Sequence, residues 1–175
     1  LDDASSDINK EIVLTYAQND SGIVYGEKQS CHGPANSRNE GIRLAKGTFI
    51  TLNDADDLSE NTRFEKQMAV FTNQPTVAVC GSWIHNFGDN IESYVFQAPQ
   101  NPINIKLTFL SYDCLANNSA MFRKSCLENI LYQKEFVPAE DYKLWSEVIV
   151  NQEAIVHYRQ HENNISKTKT VLYLN

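Results

Sequence analysis

No stretch of about 18 consecutive apolar residues occurs in the sequence, so no segment reads as a membrane-spanning helix. Basic runs are missing as well. Fifteen lysines and arginines stand against 22 aspartates and glutamates, for a net charge of −7, and no five basic residues lie together. That balance argues against a partner such as nucleic acid, whose binding depends on neutralising many phosphates. Cysteine is sparse: Cys31, Cys80, Cys114 and Cys126 are far apart, with no C-x-x-C pair and no histidine at zinc-finger spacing. Reduced structural thiols are therefore expected, rather than a disulfide framework or a zinc site. Neither a charged leader nor an apolar signal region opens the chain at Leu1-Asp2-Asp3. Internal repeats, low-complexity tracts and linkers are absent too.

What is present is 175 residues, 42% of them apolar, which suits one domain with its own core. Apolar Ile8, Ile12, Val13 and Tyr16 predict an amphipathic helix over 8–17, and Ile23-Val24-Tyr25 a short strand before the Gly33-Pro34 turn. A second helix is expected over 35–46, with Gly47 as its terminating glycine. A buried strand follows over 48–52. Thr62 and Glu65 have capping-box spacing before a helix with Phe64, Met68 and Phe71 on one face. Residues 76–84 read as one continuous apolar strand, and 91–96 as an edge strand or loop. Beyond them the pattern predicts helices over 103–110 and 142–150, a helical turn over 124–130, and strands over 119–122 and 154–158.

This alternation implies an α/β fold with a mixed, mostly parallel sheet flanked by helices, whose ligands bind at the carboxyl ends of the strands. Leu1 reads as the end of a buried strand, and in such a fold a strand commonly precedes the first helix. The expectation is thus of a single domain over 1–175 that is incomplete at its N-terminus, its first strand missing.

Asp54, Asp56 and Asp57 directly follow the 48–52 strand, which places three carboxylates in four residues where such a sheet holds its ligand. Adjacent carboxylates repel, and burying them unpaired is costly, whereas a divalent cation offsets both. Oxygen ligands suit Mg²⁺ or Mn²⁺, which bind through one or two carboxylates and bridge to substrate phosphates. The same cluster would also complement a helix macrodipole, at about 0.3–1 kcal/mol per charge. A calcium loop fits poorly, because the glycine and glutamate it requires are absent.

The ordered segments 1–7 (L-D-D-A-S-S-D), 33–41 (G-P-A-N-S-R-N-E-G), 45–47 (A-K-G) and 54–57 (D-A-D-D) resemble glycosyltransferase family 2. Its members read roughly V-D-D-G-S-T-D, G-x-x-x-A-R-N-x-G, A-x-G-x-[YF]-I and L-D-A-D-D. Later, 140–145 (E-D-Y-K-L-W) resembles the family's E-D-Y-x-L-W, and Tyr158-Arg159-Gln160-His161 with Asn164 and Ser166 its Y-R-x-H-x-x-N-x-S. Asn53 departs from the family, where an apolar or small residue usually stands.

The resemblance implies a GT-A fold with a Rossmann-like nucleotide-binding core, the donor half falling at about 1–90 and the acceptor half at about 91–175. It implies an inverting transferase taking a hexose or N-acetylhexosamine from a nucleoside diphosphate sugar, UDP foremost, to a glycan or lipid-linked acceptor in bacterial cell-envelope synthesis. By position, Asp3 and Arg38 would contact the nucleotide, Asp54 the ribose or the metal, and Asp56 the Mn²⁺ or Mg²⁺, with His161 as a further metal or diphosphate ligand. Asp57 would support from behind. Asp141 would be the general base, with Glu140 the competing candidate, since sequence does not say which of two adjacent helix-start residues faces the acceptor. Trp145, four residues after Asp141, is expected in the core, while Arg159 and Lys167 are candidates to hold the diphosphate. Plainer roles remain open for several: an Asx turn for Asp3, a surface ion pair for Arg38, and helix-dipole complementation for the Glu140-Asp141 pair. Two other functions stay open, a non-catalytic nucleotide-sugar-binding module of a larger polymerase and a sugar nucleotidyltransferase. The latter calls for an early glycine-rich loop with arginine and lysine that is not visible here. A cytoplasmic location, with peripheral association at the inner membrane face, completes the expectation.

Overall fold

A computed structural model describes residues 1–5, 9–88, 91–151, 155–158, 172 and 173. The chain divides into two compact units, one of Leu1–Lys46 with Leu131–Glu140 and one of Gly47–Ile130 with Asp141–Asn175.

In the first unit, α1 (Asn9–Ala17) matches the 8–17 periodicity, although Ile12 and Tyr16 are exposed. No strand forms at 23–25. The pairing there is a single parallel bridge from Asp2 to Glu27, with Asp2 N–H donating to Gly26 O at 2.7 Å and Lys28 N–H to Asp2 O at 3.0 Å, and Val24 is 85% exposed. A strand exists only where a neighbour supplies a ladder, and this contact is one bridge long. Helix α2 (Pro34–Leu44) starts on proline, whose missing N–H costs nothing in the first turn, and buries Ala35, Asn39 and Ile42. It stops earlier than expected, because Ala45 turns extended (φ −59°, ψ 130°) while its N–H still bonds Gly41 O. Among the described residues Gly33 is the glycine with positive φ, so Gly47 does not act as a left-handed cap.

The second unit is built on a four-stranded sheet ordered β1-β5-β2-β6, where β1 is Phe49–Thr51, β2 Val77–Gly81, β5 Met121–Arg123 and β6 Ile155–Tyr158. β1, β2 and β6 run in one direction, as the β-α-β rhythm implies. β5 inserts antiparallel between β1 and β2, so the parallel ladder of this sheet is β2 with β6. Helix α3 (Arg63–Asn73) connects β1 to β2 and packs on the sheet, burying Val70 and Phe71 with Val77, Cys80 and Met121. Phe49 and Phe71 meet with ring centroids 4.8 Å apart.

The expected strand over 76–84 is two strands. β2 ends at Gly81, and after Ser82 the chain enters β3 (Trp83–Gly88) of another sheet, ordered β4-β3-β7 and antiparallel throughout, with β4 Ile91–Phe96 and β7 Leu172–Tyr173. An unbroken apolar run does not reveal where one sheet hands over to the next. Helix α4 (Pro102–Thr108) is capped by Asn101, whose side chain accepts from Ile103 N–H at 2.9 Å and Asn104 N–H at 3.4 Å. Thr62, in contrast, makes no side-chain cap at α3, and the capping box read from Thr62 and Glu65 does not form. Arg63 N–H already bonds Glu60 O in a preceding turn. Helix α5 (Glu140–Asn151) sends Leu144, Trp145 and Val148 into the core, where Trp145 meets Phe122 edge-on at 5.5 Å. No helix among the described residues is long and apolar enough to cross a membrane.

Candidate functional site

In the first unit the two leading aspartates divide their roles. Asp2 braces the leading turn, accepting from Ser5 N–H three residues on at 2.8 Å and from Tyr25 Oη at 2.9 Å. Asp3 reaches across the sequence, accepting from His32 N–H at 3.0 Å, Gly33 N–H at 2.8 Å and the Cys31 thiol at 3.3 Å, with Lys28 Nζ 3.4 Å away. Burial alone would raise its pKa, but those donors together hold the carboxyl well below the usual carboxylate range. Gly33 makes this possible: at φ 84°, ψ 167° its N–H is delivered to Asp3 from a conformation essentially restricted to glycine.

One turn into α2, Arg38 donates to Glu140 Oε1 at 2.7 Å and lies over the Tyr132 ring, 5.5 Å from its centroid. Glu140 is buried, and its Oε2 has no hydrogen-bond partner among the described residues. Beside it Asn39, also buried, pairs in both directions with the Tyr132 main chain, Nδ2 to O at 2.8 Å and N to Oδ1 at 2.9 Å. The two members of the Glu140-Asp141 pair therefore differ: one carboxylate is committed to an arginine, and the other is half-buried with Oδ1 accepting from Tyr142 N–H at 2.8 Å.

In the second unit the chain leaves β1 through Leu52 and Asn53 into a turn in which Asp57 N–H bonds Asp54 O at 3.1 Å. Asp56 is exposed on this turn, Asp54 is half-buried, and Asp57 is held from the side by the Asn118 amide. Asn53, which departs from the family pattern, folds the turn: its Nδ2 donates to Asp54 O at 2.8 Å, and its Oδ1 accepts from Ser59 Oγ at 2.6 Å.

Beneath it lies Arg63, 0% exposed. Its guanidinium donates to Leu52 O at 2.7 Å, Thr51 Oγ1 at 3.0 Å, Asn53 Oδ1 at 3.2 Å, Ser59 Oγ at 2.9 Å and Gln67 Oε1 at 3.2 Å. Gln67 in turn donates to Cys80 O at 2.9 Å and Ser119 O at 2.8 Å. Burial lowers the Arg63 pKa to about 10, against the opposing pull of Cys80 and Asp57, so it stays charged at neutral pH. Sequence reasoning missed Arg63 and Gln67. The signal was their i, i+4 spacing on the stripe continued by Val70 and Phe71, a polar pair on the inward face, whereas Phe64 faces out at 51% exposure.

Asp113, also unanticipated, accepts from Leu115 N–H at 2.8 Å. Burial, reinforced by the charge of Asp141, raises its pKa to about 7. Among the described residues no three His, Cys, Asp or Glu side chains converge into a metal cage. A cation that bridges to phosphates needs only one or two protein carboxylates, and an exposed Asp56 on a braced turn with Asp54 beside it meets that requirement. His161, Arg159 and Lys167 lie outside the described residues.

A family model described as "Glycosyl transferase family 2" matches residues 1–131. An uncharacterized glycosyltransferase of Methanocaldococcus jannaschii is 26% identical over 97% of this chain and 62% of its own length. A UDP-Glc:alpha-D-GlcNAc-diphosphoundecaprenol beta-1,3-glucosyltransferase of Escherichia coli is 27% identical over 96% of this chain and 67% of its own. The chain thus spans about two thirds or less of these relatives. Among solved structures, S. aureus TarS 1-349 is similar with a TM-score of 0.71 and 19% identity over 98% of this chain and 49% of that one, and its complex with UDP-GlcNAc with a TM-score of 0.70. A mannosyltransferase of Pyrobaculum calidifontis in complex with GDP-Man and Mn²⁺ is similar with a TM-score of 0.63 and 16% identity, over 89% of this chain and 43% of that one. These likenesses show an α/β fold of the GT-A type.

Proposed function

This chain belongs to glycosyl transferase family 2, and on that premise we propose that it forms the catalytic domain of an inverting glycosyltransferase. Its donor is a UDP-sugar and its acceptor a glycan or lipid-linked saccharide of envelope synthesis. The observation that carries the reading is the 54–57 turn after β1, with Asp56 exposed and its two ends tied down by Asn53, Ser59 and Arg63. Support for the donor and acceptor comes from the Escherichia coli relative, named for UDP-Glc and a diphosphoundecaprenol acceptor, and from the UDP-GlcNAc complex of TarS.

In this reading residues 1–90 serve the nucleotide sugar and 91–175 the acceptor. Asp3 and Arg38 bind the nucleotide. Asp54 and Asp56, with His161 as a further ligand, would hold Mn²⁺ or Mg²⁺, which would supply positive charge to the departing diphosphate. Asp141 takes the proton from the acceptor hydroxyl as its oxygen attacks the anomeric carbon. The bond from that carbon to the diphosphate oxygen breaks on the opposite side, so the product carries inverted configuration. Asp141 rather than Glu140 is the base, because Glu140 is committed to Arg38. In this reading the protein works in the cytoplasm, attached peripherally to the inner face of the membrane where it meets a lipid-linked acceptor.

A screen of nucleoside diphosphates by thermal shift, with and without Mn²⁺, tests the site. UDP raises Tm only with the metal, and Asp56→Ala removes the effect. Stabilisation of the Asp56→Ala protein equal to that of the wild type rejects the metal assignment.

A further inference from the structure

The acidic turn is held by a charge that the reaction itself does not use. The hydrogen-bond acceptors of Arg63 are all neutral oxygens, and taking a cation out of water costs several kcal/mol unless its donors are satisfied. A helix that needed only an anchor at this position would be served by an aliphatic side chain. What a guanidinium adds is a planar fork, and here one edge bonds the chain entering the turn, at Thr51 and Leu52, while Nη1 bonds Asn53 and, beyond the turn, Ser59. Asn53 and Ser59 also bond each other. The result is a closed clasp around the base of residues 54–57. A fixed positive charge below three clustered carboxylates also relieves part of their repulsion.

Resting on the metal reading above, we propose that Arg63 is a positioning residue: with Asn53 and Ser59 it presets the 54–57 turn so that Asp54 and Asp56 meet the cation and diphosphate without reorganisation. The lysine alternative fails at this task, because one ammonium cannot reach both ends of the turn in a fixed geometry.

The test is the Mn²⁺ concentration that half-saturates UDP binding, measured calorimetrically on the intact protein for wild type, Asn53→Ala, Ser59→Ala and Arg63→Lys. Thr72→Ala, at the far exposed end of α3, is the control. Groups that orient metal ligands typically change metal affinity by about 10- to 100-fold when removed, and a shift of that size is expected for all three variants. Excess Mn²⁺ restores UDP affinity, and Thr72→Ala behaves as wild type. Asn53 is exposed but bonds buried Arg63, so Asn53→Ala is expected to fold with a modestly lowered Tm, and recovery of its UDP affinity in excess Mn²⁺ separates this role from one in folding even if Arg63→Lys folds poorly. Wild-type half-saturation in Asn53→Ala and Ser59→Ala overturns the proposal, as does a loss of UDP binding that excess Mn²⁺ does not restore. If the wild type itself binds UDP without regard to Mn²⁺, it is the metal assignment of Asp54 and Asp56 that fails, and the positioning role falls with it.

Discussion

Arg38 Nη1 lies 2.7 Å from Glu140 Oε1, and this pair separates two adjacent carboxylates that the sequence leaves equivalent. In the proposed mechanism Glu140 is the structural one. Arg38→Met strands a buried carboxylate and should cost about 3–5 kcal/mol in urea unfolding. Glu140→Gln keeps an acceptor for Arg38 and should cost only about 1–2 kcal/mol, with turnover largely retained. Asp141→Asn is expected to do the reverse, leaving stability and UDP affinity near wild type while kcat falls about 10²- to 10⁴-fold. If Glu140→Gln abolishes turnover and Asp141→Asn does not, the two roles are exchanged.

Asp3 and Asp113 should tilt the pH–stability profile in opposite directions. The Asp3 carboxyl is held below its ordinary value of 3.8, so its contribution is present above that pH and disappears as pH falls through the folded-state value. Asp113 is raised to about 7, so its contribution is complete below about pH 4 and is lost as pH rises to 7. Asp113→Asn should therefore flatten the decline between pH 4 and 7, whose limiting slope for one proton is about 1.4 kcal/mol per pH unit. Asp3→Asn should lower stability at pH 7 and weaken the acid limb. Unfolding curves at pH 3, 5, 7 and 8 check both signs.

Trp145 is fully buried against Phe122, and its indole N–H has no hydrogen-bond partner among the described residues. The side chain therefore acts through volume rather than through its donor. Trp145→Phe should cost clearly less than Trp145→Ala, for which about 3–5 kcal/mol is typical of a core aromatic. Equal losses in chemical denaturation would point instead to a role for the indole nitrogen.

Gly33 stands at φ 84°, ψ 167° with nothing within 4 Å of a built Cβ, so the cost of Gly33→Ala is one of backbone strain rather than collision. About 1–3 kcal/mol is expected, together with loosening of the Asp3 contact that its N–H makes. Unfolding free energy and hydrogen exchange at the Gly33-equivalent amide report the two effects separately.

The helices α2, α3 and α5 and strand β2 follow apolar patterns that track burial, and these, with α1, β1 and β6, were legible within a few residues. Features set by contacts remote in sequence were not. The handover at Ser82 from one sheet to another leaves the apolar run intact, and the antiparallel entry of β5 between β1 and β2 depends on residues some 70 positions from β1. At the candidate site, the ordered motifs pointed to Asp3, Arg38, the 54–57 cluster and the 140–141 pair. The clasp below the acidic turn escaped notice because Asn53 looks like a misfit and Arg63 like an exposed first-turn residue until both are seen to meet at 3.2 Å.

The most direct measurement of the account's central claim is the anomeric configuration of the product, read by NMR, when the intact protein is given a UDP-sugar, a lipid-linked acceptor and Mn²⁺. Transfer with inverted configuration, lost on chelation and in Asp141→Asn, is the predicted result. Transfer with retained configuration, or an unchanged rate after chelation, would contradict it.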